Sequence, residues 1–151
     1  MIKSIYIAGP MRGVPHYNFP RFFEVETELK RQGYDVYNPA RMDVEAGFDA
    51  RELPYYYDWS GYPDSPNFSQ QDAFDRCCDA IRLSEAVLLL EGWQKSENAT
   101  TEKRMAEWMG KKILRIMPVK HSLGKTFSMQ NSAVCEDPGK YETDNDAMPP
   151  Q

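Results

Sequence analysis

The segment Ser4-Ile5-Tyr6-Ile7-Ala8-Gly9-Pro10-Met11-Arg12-Gly13 constrains the fold more than any other stretch of the chain. A short apolar run ends at Gly-Pro and passes into a small, basic, glycine-bearing loop. An α/β protein presents the carboxyl end of its first strand to a ligand in this way. Such a loop leaves room for backbone to approach an anion, and the Arg12 guanidinium can hold one through two parallel hydrogen bonds. A phosphorylated small molecule is the first expectation, although a tight turn with an exposed arginine would read the same.

The rest of the chain alternates. Residues 3–8 read as a first strand. Asn18 stands where a helix cap is expected, with Pro20 in the first turn. Phe19, Phe22, Val25 and Leu29 then recur at helical spacing, while Glu24, Glu26, Glu28, Lys30 and Arg31 face water, and Gly33 closes the helix. Residues 35–37 form a short second strand stopped by Asn38-Pro39. Residues 69–84 read as a helix with Phe74, Cys77, Cys78 and Ile81 as its apolar stripe. Residues 86–90 are uninterruptedly apolar, as in a strand covered on both faces. Residues 100–109 make a third helix closed by Gly110, and residues 112–117 a last strand ended by Pro118. The alternation predicts a single-domain, Rossmann-like or flavodoxin-like α/β fold. It is a three-layer sandwich on a mainly parallel sheet of about five strands, with ligands at the strands' carboxyl ends.

Two stretches depart from this pattern. Residues 41–68 contain Leu53-Pro54-Tyr55-Tyr56-Tyr57-Asp58-Trp59-Ser60-Gly61-Tyr62-Pro63, aromatic and turn-forming without a clean period. They read as an ordered insert, either a lid whose Tyr57 or Trp59 stacks on a flat ligand or a cover for its own core. Residues 1–120 are expected to form the ligand-binding domain, and 121–151 an oligomer-contact segment with a mobile tail.

Composition narrows the partners. The 151 residues suit one domain. A net charge of −5 and a pI near 5.1 argue against a nucleic-acid groove or an anionic membrane surface as partner. No apolar run approaches the roughly 18 residues of a membrane span, and the first residues lack a signal-peptide pattern. Cys77, Cys78 and Cys135 lack zinc-site spacing, and the two histidines are far apart. A reducing cytoplasm, no metal and no cofactor are expected.

A second constellation, Leu90-Glu91-Gly92-Trp93-Gln94-Lys95-Ser96-Glu97-Asn98-Ala99-Thr100-Thr101-Glu102, stands at another strand end. It reads as strand, small polar loop, then a helix with a carboxylate in its first turn. The N–H groups there would keep Glu102 ionised, which suits a nucleophile. Ser96 is placed to donate to a phosphate oxygen. Ordinary capping by Asn98 or Thr100, with Glu102 complementing the helix dipole, is the alternative.

These two segments, together with Asn18-Phe19-Pro20-Arg21-Phe22 and Gly33-Tyr34-Asp35-Val36-Tyr37-Asn38-Pro39-Ala40, resemble the nucleoside 2-deoxyribosyltransferase superfamily from about residue 3 to 117. The branch they look like holds small bacterial and phage proteins with Gly-Pro and Gly-Trp signatures, similar to 2′-deoxynucleoside 5′-phosphate N-hydrolases. The resemblance implies a five-stranded parallel sheet. It also implies cleavage of the N-glycosidic bond of a nucleoside or its 5′-monophosphate through a covalent glycosyl-glutamate, by hydrolysis or by base transfer. Glu102 matches the nucleophile, Tyr6 the tyrosine that orients it, and Ser96 a serine for the 5′-phosphate. Gly9, Pro10, Met11, Arg12 and Gly13 match the sugar-phosphate loop, with Pro10 where serine is frequent. Gly92, Trp93 and Asn98 complete the substrate-binding set, Asn98 replacing a usual glycine.

One departure bears on activity. Cys77 stands where the superfamily carries an aspartate that handles a sugar hydroxyl or the proton of the leaving base. Asp75 and Asp79 lie about 200° round the helix from it, so neither substitutes without a change of register; Asp72, nearer the helix start and hence the strand ends, is a further candidate. Turnover, or a catalytically impaired nucleotide-binding protein, are the two readings; a third is an interaction protein docking through the Tyr55–Tyr62 aromatics. A homodimer or higher homo-oligomer is implied; Gly124-Lys125-Thr126-Phe127-Ser128-Met129 reads either as the segment that would bring Ser128 to a partner's phosphate site or as a surface loop.

Overall fold

The computed structural model describes residues 1–53, 68–117 and 133–136. Strand β1 (Ser4–Ala8) leads through a left-handed turn into helix α1 (Phe19–Arg31), then β2 (Asp35–Tyr37) and α2 (Pro39–Glu45). Helix α3 (Gln70–Leu83), β3 (Ala86–Leu89), α4 (Glu97–Trp108), β4 (Lys112–Met117) and β5 (Ala133–Glu136) follow. The sheet order is β2-β1-β3-β4-β5. The first four strands pair in parallel, with Tyr6 in register with Tyr37 on one side and Val87 on the other. This is a Rossmann-like α/β arrangement built on a four-stranded parallel sheet.

Parallel pairing stops at four strands, one short of the five that the resemblance implies. β5 runs antiparallel on β4, pairing Cys135 with Arg115. It lies inside the segment 121–151 that was expected to be oligomer contact and tail. Four residues are too short a run to give a strand signal in the sequence.

The period-2 alternation of β1 decides what each face carries. Ile5 and Ile7 point to the layer of α1 and pack with Phe19, Phe22, Val25 and Leu29. Tyr6 and Ala8 point to the opposite layer, into a cluster with Ala80 and Ile81 of α3 and Ala106 of α4. A tyrosine buried in a strand must send its hydroxyl to a partner on that side. Those partners lie on α3 and α4.

The start of the segment read as an aperiodic insert is instead helix α2. Asn38-Pro39 stops β2 and also starts α2: the Asn38 side chain accepts from the Ala40 N–H at 3.0 Å, and Pro39 occupies the first turn, where its missing N–H costs nothing. Buried Glu26 of α1 bonds Arg41 of α2, Lys30 and Asn38, fastening the two helices together. Ala40 joins the α1 core and Met42 packs against the α3/α4 core, so α2 stands at the carboxyl end of β2 between the two layers.

Candidate functional site

A cavity of about 940 Å³ opens at the carboxyl ends of β1 and β3. Its walls are the loop 9–14, the inner sides of α2 and α3, and the segment from Glu91 into α4. Of the residues singled out from the sequence, the fold brings ten to this cavity: Gly9, Pro10, Met11, Arg12, Gly13, Cys77, Gly92, Ser96, Asn98 and Glu102.

The Gly-Pro loop is held from below. His16, Tyr17 and Asn18 take consecutive left-handed conformations, with φ of 52°, 53° and 59°. Asn18, expected as a helix cap, makes no capping bond; its amide donates to the Pro10 carbonyl at 2.8 Å. The turn also buries Tyr17, 2% exposed, on the cavity wall. Gly9 serves close packing: a Cβ there would stand 2.7 Å from Leu90 Cβ. That contact fills the side of Gly9 that a side chain would take, while the residue still lines the cavity.

Helix α4 starts three residues earlier than its pattern suggested. Ser96 is the cap, its Oγ accepting from the Ala99 N–H at 3.3 Å. Neither Asn98 nor Thr100 caps; the Thr100 hydroxyl points back to the carbonyls of Ser96 and Glu97. Ser96 Oγ–H is still available to the cavity, since capping uses only a lone pair. The earlier start moves Glu102 into the second turn, beyond the exposed N–H groups of the helix start. The expectation that the dipole keeps it ionised is therefore overturned. Burial pushes its carboxyl up to about 8, while the Tyr6 hydroxyl, donating to Oε1 at 2.9 Å, pulls the other way.

Tyr6 is fully buried behind Glu102, and its own ionisation is pushed far up by burial and by the neighbouring carboxyl. Its hydroxyl stays a donor at every physiological pH. Cys77 adjoins the same hydroxyl; burial, then Glu102, push its thiol up to about 12. A neutral thiol here carries no proton traffic near neutrality.

Two candidates stand elsewhere. Asp72 is exposed at the start of α3, where its N–H is capped by Ser69, and lies off the cavity wall. Trp93 packs against the α3/α4 core, with Lys103 and Arg115 each 5.5 Å from its ring. Ser128, Tyr57 and Trp59 fall outside the described residues. Among the described residues, no group of His, Cys, Asp and Glu side chains has the arrangement of a metal site, and no helix is long and apolar enough to cross a membrane.

Sequence reading passed over Asp43. It is 8% exposed, lines the cavity, and its Oδ1 accepts from Arg76 Nη2 at 3.0 Å. Burial raises its carboxyl to about 6, against the pull of Arg76. The available signal was the capped start Asn38-Pro39, which sets a helix and puts Pro39 and Asp43 four residues apart on one face. Phe74, expected in the apolar stripe of α3, is 55% exposed and faces the cavity as well. Lys95 adds a second cation to the cavity lining, from the segment that leads into α4.

A family model described as "Domain of unknown function (DUF4406)" matches residues 3–115. No curated protein matches the chain.

Proposed function

The chain belongs to that family, and from its cavity we propose that it cleaves the N-glycosidic bond of a nucleoside or nucleoside 5′-monophosphate through a glycosyl ester on Glu102. The observation that carries this reading is a single buried pair: Glu102 in the wall of a cavity that also receives the Gly-Pro loop, and Tyr6 behind it donating to its carboxyl. The resemblance to the nucleoside 2-deoxyribosyltransferase superfamily supplies the substrate class.

The chemistry is that of a retaining glycosidase with a nucleobase as leaving group. Positive charge builds at C1′ as the base departs. An ionised Glu102 opposite that carbon stabilises the charge and then bonds to it. Burial disfavours the ionised carboxylate in the empty cavity. A cation-like sugar and the Tyr6 hydroxyl both favour it in the transition state, so the electrostatic gain is largest where it accelerates the reaction. Arg12 from the loop 9–14 and Lys95 and the Ser96 hydroxyl from the segment leading into α4 line the same cavity and are donors suited to a 5′-phosphate, whose binding would orient the sugar. Water completes hydrolysis; a second base completes transfer.

Cys77 supports a second reading, a nucleotide-binding protein without turnover, because its thiol, held near 12, cannot serve as a proton donor at neutral pH. One experiment separates the two. Wild type and Glu102→Ala are incubated with a panel of nucleosides and 5′-monophosphates, with and without an acceptor base; products are separated by chromatography and binding is measured by calorimetry. Base release lost in Glu102→Ala with binding retained is the expected result. Binding without release by wild type selects the second reading.

A further inference from the structure

The cavity contains a carboxyl that the glycosyl-ester reading leaves without a task. Asp43 comes from α2, which is joined to α3 through Arg76 beside the cavity. Arg76 touches only its Oδ1; Oδ2 has no hydrogen-bond partner among the described residues. The contact is one-sided on the arginine too, whose Nε is buried with no partner among those residues. A forked clamp would occupy both carboxyl oxygens and hold the group ionised. This contact leaves one oxygen usable. The Cys77 thiol lines the same cavity and feels both carboxyls, Glu102 from α4 and Asp43 from α2.

We propose that Asp43 is the proton-handling carboxyl of this cavity, giving a proton to the departing nucleobase and taking one from the water that follows. The proposal rests on the glycosyl-ester reading. In the first step a Glu102 oxygen bonds to C1′ as the C1′–N bond breaks; that electron pair stays on the base nitrogen, which receives the Asp43 proton. In the second step water attacks C1′, its proton passes to the Asp43 carboxylate, and Glu102 leaves as carboxylate. Both groups return to their starting forms, and no further reagent is needed.

The groups around Asp43 set its titration. Arg76 pairs with it from α3, Cys77 of the same helix feels its charge, and Glu102 and Tyr6 act on that thiol in turn. On α1, Glu26 is engaged by Arg41 and Lys30. The loop and rim side of the cavity carries Arg12, Glu91, Lys95 and Glu97. Cleavage needs Glu102 without its proton and Asp43 with it. The rate therefore rises with pH as Glu102 ionises and falls as Asp43 ionises. The result is a bell whose limbs lie near 6 and 8, whichever group titrates first.

The test compares wild type, Asp43→Asn, Asp43→Glu and Glu102→Gln on two substrates, a purine nucleoside 5′-monophosphate and its N7-methylated form. The methylated base already carries the charge that protonation would supply. Asp43→Asn is expected to lose roughly 10²- to 10⁴-fold on the unmethylated substrate. It should lose less than about 10-fold on the methylated one and trade the bell for a single limb rising through about 8. Asp43→Glu should restore part of the rate and the falling limb. Equal losses on both substrates would mean that Asp43 only shapes the cavity, and an unchanged rate and bell in Asp43→Asn would mean that it has no part; either overturns the proposal alone. Full activity in Glu102→Gln, or no base release by wild type, overturns the glycosyl-ester reading and this proposal with it.

Discussion

At the residue scale the decisive fact is the state of Glu102. Its carboxyl titrates near 8 in the folded chain against an ordinary value of 4.5. The sign follows from linkage. A raised carboxyl is stabilised in its protonated form by folding, so the folded state binds more protons than the unfolded chain between these two pH values. Stability therefore falls as pH rises from about 4.5 to about 8. Glu102→Gln, which keeps the shape and removes the ionisation, is expected to unfold at higher temperature than wild type at pH 8, by a stability difference on the order of a few kcal/mol. Near pH 4 the two should melt together. Thermal melts by circular dichroism across that range check it, and a Gln variant no more stable at pH 8 would mean that water reaches the carboxyl freely. The expectation of an ionised Glu102 failed because it rested on the helix starting at Thr100; one capping serine, Ser96, moved the start back.

At the scale of elements, the strands and the long helices were legible in the chain. The strand 35–37 and the strand 112–117 were bounded as the structure has them, since Asn38-Pro39 and Pro118 punctuate them. Helix α2 was not legible, because Asn-Pro both ends a strand and begins a helix, and a seven-residue helix shows barely two turns of periodicity. Asp43 was missed with it. The site was half legible: the two strand-end loops were found, while the α2 wall came only with coordinates. Two predictions belong here. Gly9→Ala sets a Cβ 2.7 Å from Leu90 Cβ, part of the strand backbone's immediate side chain and unable to swing away. It should cost about 1–3 kcal/mol in denaturant unfolding and shift the Gly-Pro loop. Ser96→Ala removes the α4 cap and should cost about 1 kcal/mol, with hydrogen exchange rising at the first turn of α4, including Ala99. If Ala99 exchange is unchanged, the cap is held by something other than Ser96.

At the scale of the whole molecule, two layers around a parallel sheet deliver one buried tyrosine and one buried carboxyl to the same end of the sheet. Antiparallel β5 covers the edge of β4 that a four-stranded parallel sheet would leave open. Deleting residues 133–151 should expose that edge and raise self-association, measurable by light scattering against concentration. An equally monodisperse truncated protein would assign β5 no protective role.

The most direct test of the account is covalent capture on Glu102. The protein is mixed with a nucleoside 5′-monophosphate whose 2′ position carries an arabino-configured fluorine, which slows reactions that build charge at C1′, and is then quenched, digested and read by mass spectrometry. The account predicts one added sugar-phosphate mass on the peptide containing Glu102, absent in Glu102→Gln, with free base released in equal amount. Released base with no adduct, or an adduct on any other residue, would contradict it.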